Sequence, residues 1–463
     1  MTRQLKSKIS TLVKVGICIL IFPSCIIGQE IMQPEDVIRL CIAGNFDIQI
    51  ARNNEIVTKN NNNLGLVGSG QSTGSTLMGG STGMLPQISI QAGNPQNPLG
   101  YGQTITTLKY QNPSINVLSQ KLTSTSYAPS IVGTWYFFDG FKMFVTKRKL
   151  NKAEELSNLQ YRQTVENTIF NVLSIYYTMV GIQRYIRSLK ASLELAEGQL
   201  ILAEEKLKTG NGTQVELLQA KIDANNLEVS ILQQLNLLNE QAINLNNLLK
   251  RSPESPVLVP DTLAISSKPD YGLALNTTSQ NNISILIGKK NLEIDELALK
   301  EFKANRMPKI GVTGNYTYQR TANDIGFVRL NQNFGYNAGL IFSWTLLNNF
   351  TTRTAIKNQS VQINSDQLRM DAATLQENSN LYKAFIGFKN NLEIMEIEIK
   401  SVAMAKENLQ LAADRYKIGI STYLDFRTVN VSYENALYRY SQALSAAKIS
   451  ELNYLKVQNL LVH

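Results

Sequence analysis

The sequence predicts a mixed α and β membrane protein made of two copies of one strand-strand-helix-helix unit, with four strands per chain. Three observations predict it. The string "KLKTGNGTQVEL", Lys206 to Leu217, returns as "RYKIGISTYLDF", Arg415 to Phe426, at an offset of 209 residues. Two long proline-free stretches carry apolar residues at helical spacing. Two segments of the second half alternate apolar and polar residues over strand-like lengths.

The chain has 463 residues, of which 43% are hydrophobic and 17% charged, enough for a sizeable core and unlike a disordered chain. Arg3, Lys6, Lys8 and Lys14 precede an apolar run from Val15 to Ile27. That layout is expected of a secretory signal over residues 1–29, with an apolar run too short to span a bilayer as a helix. Cleavage near Gly28 or Gln29 would remove those four positive charges and lower the formal +9 to +5, which leaves little case for nucleic-acid binding. "FPSC", Phe22 to Cys25, offers a rival lipid-anchor reading at Cys25, which the bulky Phe22 and Pro23 fit poorly. Of Cys18, Cys25 and Cys41, the processed chain would keep Cys41, so no disulfide framework is expected.

The first copy is expected over residues 30–250. It opens with a helix and continues through a Gly/Ser/Thr-rich insertion, Gly65 to Gly83, to strands at about 86–93 and 128–138. No proline occurs between Pro129 and Pro253, so a long helical hairpin is permitted over 141–250. Its seam is Leu217, Ala220, Ala224, Leu227, Ile231, Leu235, Leu238, Ala242, Leu245 and Leu249, stepping by three or four. A second stripe, Val215, Leu218, Ile222, Val229 and Leu232, predicts packing on another side. Residues 251–281, with Pro253, Pro256, Pro260 and Pro269, form the expected linker or equatorial collar.

The second copy is expected over residues 282–463: a helix, strands at about 309–319 and 334–346, and a hairpin over 350–461. The 209-residue offset pairs Trp135 with Trp344 and Phe141 with Phe350, so "WYFFDGF" matches "WTLLNNF". A shift of three residues near the ends is expected to align Asn247 with Asn459. Upstream, "NFDIQIARNN" from Asn45 resembles "NISILIGKKN" from Asn282. The second seam runs through Phe426, Val429, Tyr433, Ala436, Tyr440, Leu444 and Ala447.

The opening strings are helix stops and starts. Gly210 and Gly419 suit the left-handed position that ends a helix, and each is followed by a capping box: Thr213 with Glu216, and Thr422 with Asp425. Each string is thus the tip of an antiparallel hairpin. Helices from about Lys142 to Leu207 would be about 100 Å long at 1.5 Å per residue, longer than a globule buries.

In the strand from Phe334 to Leu346, Phe334, Tyr336, Ala338, Leu340, Phe342, Trp344 and Leu346 face one way. Such lengths cross a bilayer when tilted, with aromatics at the interfaces. A half-buried sheet in a soluble domain is the other reading. Four strands cannot close a membrane barrel, which needs at least about eight, and open edges are excluded from lipid, so several chains would have to share one barrel.

These features together resemble the TolC-like outer-membrane efflux family over essentially the whole length after the signal. The strand exits at Trp135 and Trp344 and the two glycine tips carry the resemblance, most closely "YKIGISTYLDF". It implies a homotrimer with a 12-stranded outer-membrane β-barrel continued by a long α-helical coiled-coil barrel. It implies a Gram-negative outer-membrane location and a periplasmic adaptor and inner-membrane pump as partners. It also implies that the tips, Thr209, Gly210, Asn211, Ile418, Gly419 and Ile420, dock the adaptor, and that acidic residues narrow the mouth. Asp425 takes the first acidic position of that gate; the second is Thr428, which departs from the family pattern. Capping alone also accounts for Asp425.

The expected function is a passive export duct of a tripartite efflux pump or type I secretion system, the alternative being a non-conducting periplasmic coiled-coil scaffold. No enzyme is expected: "GGSTG" from Gly79 lacks a catalytic histidine, since the single histidine is His463, and no Walker A or Cys/His metal cluster is present. No cofactor is expected.

Overall fold

A computed structural model describes residues 31–64, 84–92, 100–107, 119–265, 268–323 and 328–461. The expected signal, Cys18, Cys25, the Gly65 to Gly83 insertion and His463 lie outside these residues. The described chain begins with α1 (Pro34–Gly44) and α2 (Phe46–Leu64), then β1 (Gln87–Ala92), β2 (Gly100–Thr107), β3 (Ser119–Tyr127) and β4 (Pro129–Phe138). Next come α3 (Lys142–Lys208), α4 (Gln214–Leu248), α5 (Tyr271–Asn281) and α6 (Ile283–Ala304). It finishes with β5 (Lys309–Asn323), β6 (Leu330–Ser343), α7 (Thr351–Lys417) and α8 (Tyr423–Val457).

The long helices keep the 209-residue offset to their ends. α3 and α7 each have 67 residues, and α4 and α8 each have 35. The expected three-residue shift is not taken: Lys250 (φ 56°) and Asn459 (φ 57°) both occupy the left-handed turn after their helices, at the unshifted offset. The two Asn-Leu-Leu strings are a coincidence of composition. Backbone geometry, which fixes where each helix must stop, decides the alignment.

Each short helix pair is broken by an asparagine. Asn45 Oδ1 accepts from the amides of Asp47 (2.9 Å) and Ile48 (3.2 Å), and Asn282 Oδ1 accepts from Ile285 (3.2 Å). Each side chain caps the following helix, satisfying donors that have no intrahelical partner. The amides of the same asparagines donate to the last carbonyls of the hairpins, Leu248 at 2.9 Å and Val457 at 3.2 Å. One residue type thus starts a helix and ties it to the end of a rod. Where one N-terminal helix was expected there are two, and α5 occupies the distal part of the expected linker.

Among the described residues the sheet has six strands where four were expected. The first-copy strands are each divided in two: β1 and β2 both pair with the β3–β4 line, while Tyr127 pairs with Arg320 and Ser130 with Thr317, in unbroken step. Pro129, which has no N–H for a ladder, follows the break at Ala128. β2 and β3 are rich in Gly, Thr, Ser and Gln and carry few of the bulky residues that mark strands in a sequence. β6 runs from Leu330 to Ser343, so Trp344 and Leu346 lie beyond the strand that alternation assigned them to.

Every strand is antiparallel to its neighbours, and β6 pairs with β5 alone. The sheet ends on two open edges and is covered on neither face at β6: Phe334, Tyr336, Leu340 and Phe342 are 67–84% exposed. Two indoles fasten its base. Trp135 Nε1 donates to the Met84 carbonyl and Trp344 Nε1 to that of Arg306, both at 3.1 Å, each holding the chain just before it enters a strand.

Strand gives way to rod through two consecutive left-handed residues, Gly140 and Phe141 in one copy, Asn349 and Phe350 in the other. A Cβ at Gly140 would lie 2.5 Å from Met307 Cβ and 2.7 Å from the Ala304 carbonyl, so the first turn admits glycine alone. Asn349 takes the equivalent position because asparagine tolerates that region. The expected seam of α4 is buried or half-buried throughout, whereas its second stripe is open, with Val215 74% exposed and Leu232 65%.

The main core lies at mid-height, where Val37, Cys41 and Ile48 pack on Val172, Tyr176 and Val180 of α3. Burial pushes the Cys41 thiol up to about 11, so it is an inert packing group there. α3 and α8 cross where Gly181 meets Ser445. A Cβ at Gly181 would fall 1.9 Å from Ser445 Oγ and 3.2 Å from its Cβ. Gly181→Ala should therefore lower stability by about 1–3 kcal/mol through overpacking. Adding Ser445→Ala should recover part of that loss, measured as the midpoint of thermal unfolding.

Candidate functional site

The two hairpin tips lie side by side at the end of the rods away from the sheet. Each is built by the same local rules. Thr209 closes α3, Gly210 turns left-handed at φ 76°, and the Asn211 amide donates back to the Lys206 carbonyl at 2.9 Å. Ile418 closes α7, Gly419 has φ 81°, and the Ile420 amide donates to the Arg415 carbonyl at 2.9 Å. Both are Schellman closures, which need the left-handed residue that glycine supplies.

The capping boxes form as expected. Thr213 Oγ1 accepts from the Glu216 amide (3.2 Å) and the Thr213 amide donates to Glu216 (3.3 Å). Thr422 Oγ1 accepts from the Asp425 amide (3.2 Å), and Asp425 Oδ2 accepts from the Thr422 amide (3.0 Å) and hydroxyl (2.7 Å). Those hydrogen bonds hold the fully exposed Asp425 carboxyl below its usual range, the hydroxyl contributing most. A depressed carboxylate contributes to folding above its unfolded value and loses that contribution only as pH falls through the folded one, so this cap outlasts ordinary aspartates in mild acid. Thr428 is exposed one turn along, with its hydroxyl donating to the Leu424 carbonyl at 2.9 Å.

Between the tips sits a cluster that sequence reasoning missed. Tyr416, Tyr423 and Phe426 pack together with Ala203, Ala220 and Leu409, the Tyr416 and Phe426 rings stacking at 5.9 Å. Lys206 Nζ lies 3.7 Å from the centre of the Tyr416 ring and donates to the Tyr416 carbonyl at 2.8 Å, joining α3 to α7. Asp223 of α4 accepts from two residues of α8: the Tyr423 hydroxyl at 3.0 Å, and Arg427 Nε at 2.9 and 3.0 Å on its two oxygens. Burial and the adjacent Asp223 carboxylate raise the Tyr423 phenol, so it stays a donor at any physiological pH.

The signal that could have found this cluster is where the copies disagree. At the 209-residue offset Tyr423 stands opposite Gln214, Arg427 opposite Leu218, Tyr416 opposite Leu207 and Asp223 opposite Ser432. The clamp occurs once in the chain. Of the expected site residues, Asp425 lies on the first turn of α8 beside it, while Ile418 and Ile420 present 66–68% exposed apolar side chains at the tip.

Residues 275–456 match the outer membrane efflux protein family. Among solved structures the fold is similar to VceC from Vibrio cholerae, with a TM-score of 0.71 and 13% identity, covering 92% of this chain and 96% of that one. It is similar to the Campylobacter jejuni CmeC outer membrane channel, with a TM-score of 0.73 and 13% identity, over 92% and 86% of the two chains. It is also similar to the open state of the Neisseria gonorrhoeae MtrE outer membrane channel, with a TM-score of 0.63 and 14% identity, over 92% and 89%. No curated protein matches the chain. The resemblance read from the strand exits and tips is borne out by the family match and by these folds.

Removing the clamp should loosen one tip from the other. Asp223→Ala leaves a buried phenol without its acceptor, at a cost of about 1–3 kcal/mol. Spin labels at Asn211 and Ile420 should report one narrow distance in the parent chain and a broader, longer distribution in the variant. An unchanged distribution would return Asp223 to a packing role.

Proposed function

We propose that the chain is a passive outer-membrane export duct that works as a homotrimer. The observation that carries this reading is a sheet uncovered at β6 and open at two edges, mounted on rods about 100 Å long. With β1–β2 and β3–β4 each counted as one line, every chain offers four strand positions. Three chains give twelve, above the minimum of about eight for a membrane barrel. Trp135, Phe137, Phe141, Phe144, Trp344 and Phe350 are 40–65% exposed around the junction of sheet and rods, where a barrel needs an interfacial aromatic belt.

The rods supply the second argument. On α7, Val361, Leu368, Leu375 and Tyr382 recur every seven residues and are 53–70% exposed, and the second stripe of α4 is also open. Seven-residue apolar repeats pack against other helices. In the trimer these stripes meet between chains, and twelve helices wall a tunnel continuous with the barrel. No helix among the described residues is long and apolar enough to cross a membrane.

The exposed tips are the docking surface for a periplasmic adaptor, which joins the duct to an inner-membrane pump of an efflux or type I secretion system. The tips also form the gate: the Asp223 clamp holds them closed, and three copies of Asp425 around the axis select cations. Thr428 leaves that ring with one carboxylate per chain. The scaffold alternative leaves the exposed β6 face and the open edges without a role.

In a planar bilayer the purified chain should give discrete, cation-preferring openings. Asp425→Asn should weaken the cation preference, and Asp223→Ala should raise the open probability. Openings indifferent to Asp425→Asn would leave that residue as a cap alone. No conductance from parent or Asp223→Ala would favour the scaffold.

A further inference from the structure

A cavity of about 340 Å³ opens where α3, α6, α7 and α8 converge at mid-height. The lining is polar and carries both signs of charge: Glu166 from α3, Glu377 and Lys383 from α7, and Lys456 from α8. None of these four pairs with another as a salt bridge.

Glu166 is the unusual member. It is 8% exposed and lines the cavity, with Lys456 and Arg162 as the nearby positive charges. Burial raises its carboxyl to about 7, against the pull of Lys456 and Arg162. Lys456 lies opposite, with Nζ 4.5 Å from the centre of the Phe170 ring and its ammonium lowered by burial. Glu377 is engaged by Asn282, whose Nδ2 donates to it at 3.2 Å. The first turn of α6, a 22-residue helix, also faces the cavity through Ile283 and Ser284, whose amides have no acceptor within the helix.

We propose that this cavity binds a small zwitterion, of the free amino acid class, with its ammonium on Glu166 and its carboxylate toward Lys456, Lys383 and the α6 N-terminus. The mixed lining selects that class. A simple anion would meet Glu166 and Glu377, and a simple cation would meet both lysines. A molecule carrying the two charges a few ångströms apart pairs with the Glu166 carboxyl and the helix amides together. The site lies away from the tips and does not depend on the duct reading.

The test is calorimetric titration of the full chain in detergent with alanine, ethylamine and propionate as separate probes, since the last two carry one charged group each. Saturable binding of alanine alone is the expected result. Glu166→Gln should weaken it at least about tenfold, because a charged hydrogen-bond partner is lost. Lys383→Met, at an exposed rim position, should weaken it without touching the buried wall. Saturation by propionate as strong as by alanine would overturn the proposal in favour of an anion site. No saturation by any probe would leave the cavity to solvent and overturn it as well. Undiminished alanine binding in both variants would place the ligand elsewhere.

Discussion

The structure depends on one constraint: a sheet that one chain cannot finish. Among the described residues β6 has no partner on its outer side, and the β1–β2 line has none on its own. Within a bilayer no water satisfies those backbone groups, so they must pair with another copy or stay out of the membrane. Everything around the sheet suits the first solution. Its β6 face is apolar and aromatic, its base is pinned by two indole hydrogen bonds, and the rods below keep open apolar stripes along the sides where a neighbour would stand.

The repeated frame and the unrepeated details do different jobs. Helix lengths, left-handed strand exits, Schellman tips and the asparagines at positions 45 and 282 recur in both halves, and all of them fix backbone direction. The Asp223 clamp and the Lys206 contact do not recur. Identical hairpins have no reason to hold one another at one particular point, but a carboxylate on one and an arginine and phenol on the other do. The contacts that join one tip to the other lie where the halves have diverged.

Much of the fold could be read from the sequence because its signals are local. Proline-free runs, glycine at each helix end and a Ser/Thr box three residues ahead of an acid all act within one turn of backbone. β5 and β6 were legible because Tyr, Phe and Leu alternate with Gly, Asn and Thr. β2 and β3 were not, since strands of Thr, Ser, Gln and Gly are held in place by their neighbours' ladders and not by their own side chains. The ties from Asn45 and Asn282 to the rod ends and the Asp223 clamp were hidden for a further reason: their partners lie about 200 residues away. For the clamp, a side-by-side comparison of the halves, asking where a charge or ring replaces an aliphatic residue, would have singled it out.

The central claim is closure of the sheet between chains, and engineered disulfides test it most directly. Cysteine at Asn337 of β6 would be combined in turn with cysteine at Gln87, Ser89 or Gln91 of β1, and the protein oxidised in its membrane. The account predicts that at least one combination yields a covalent ring of three chains that reverts to single chains on reduction. No inter-chain product from any combination, or a ladder extending past three, would contradict it.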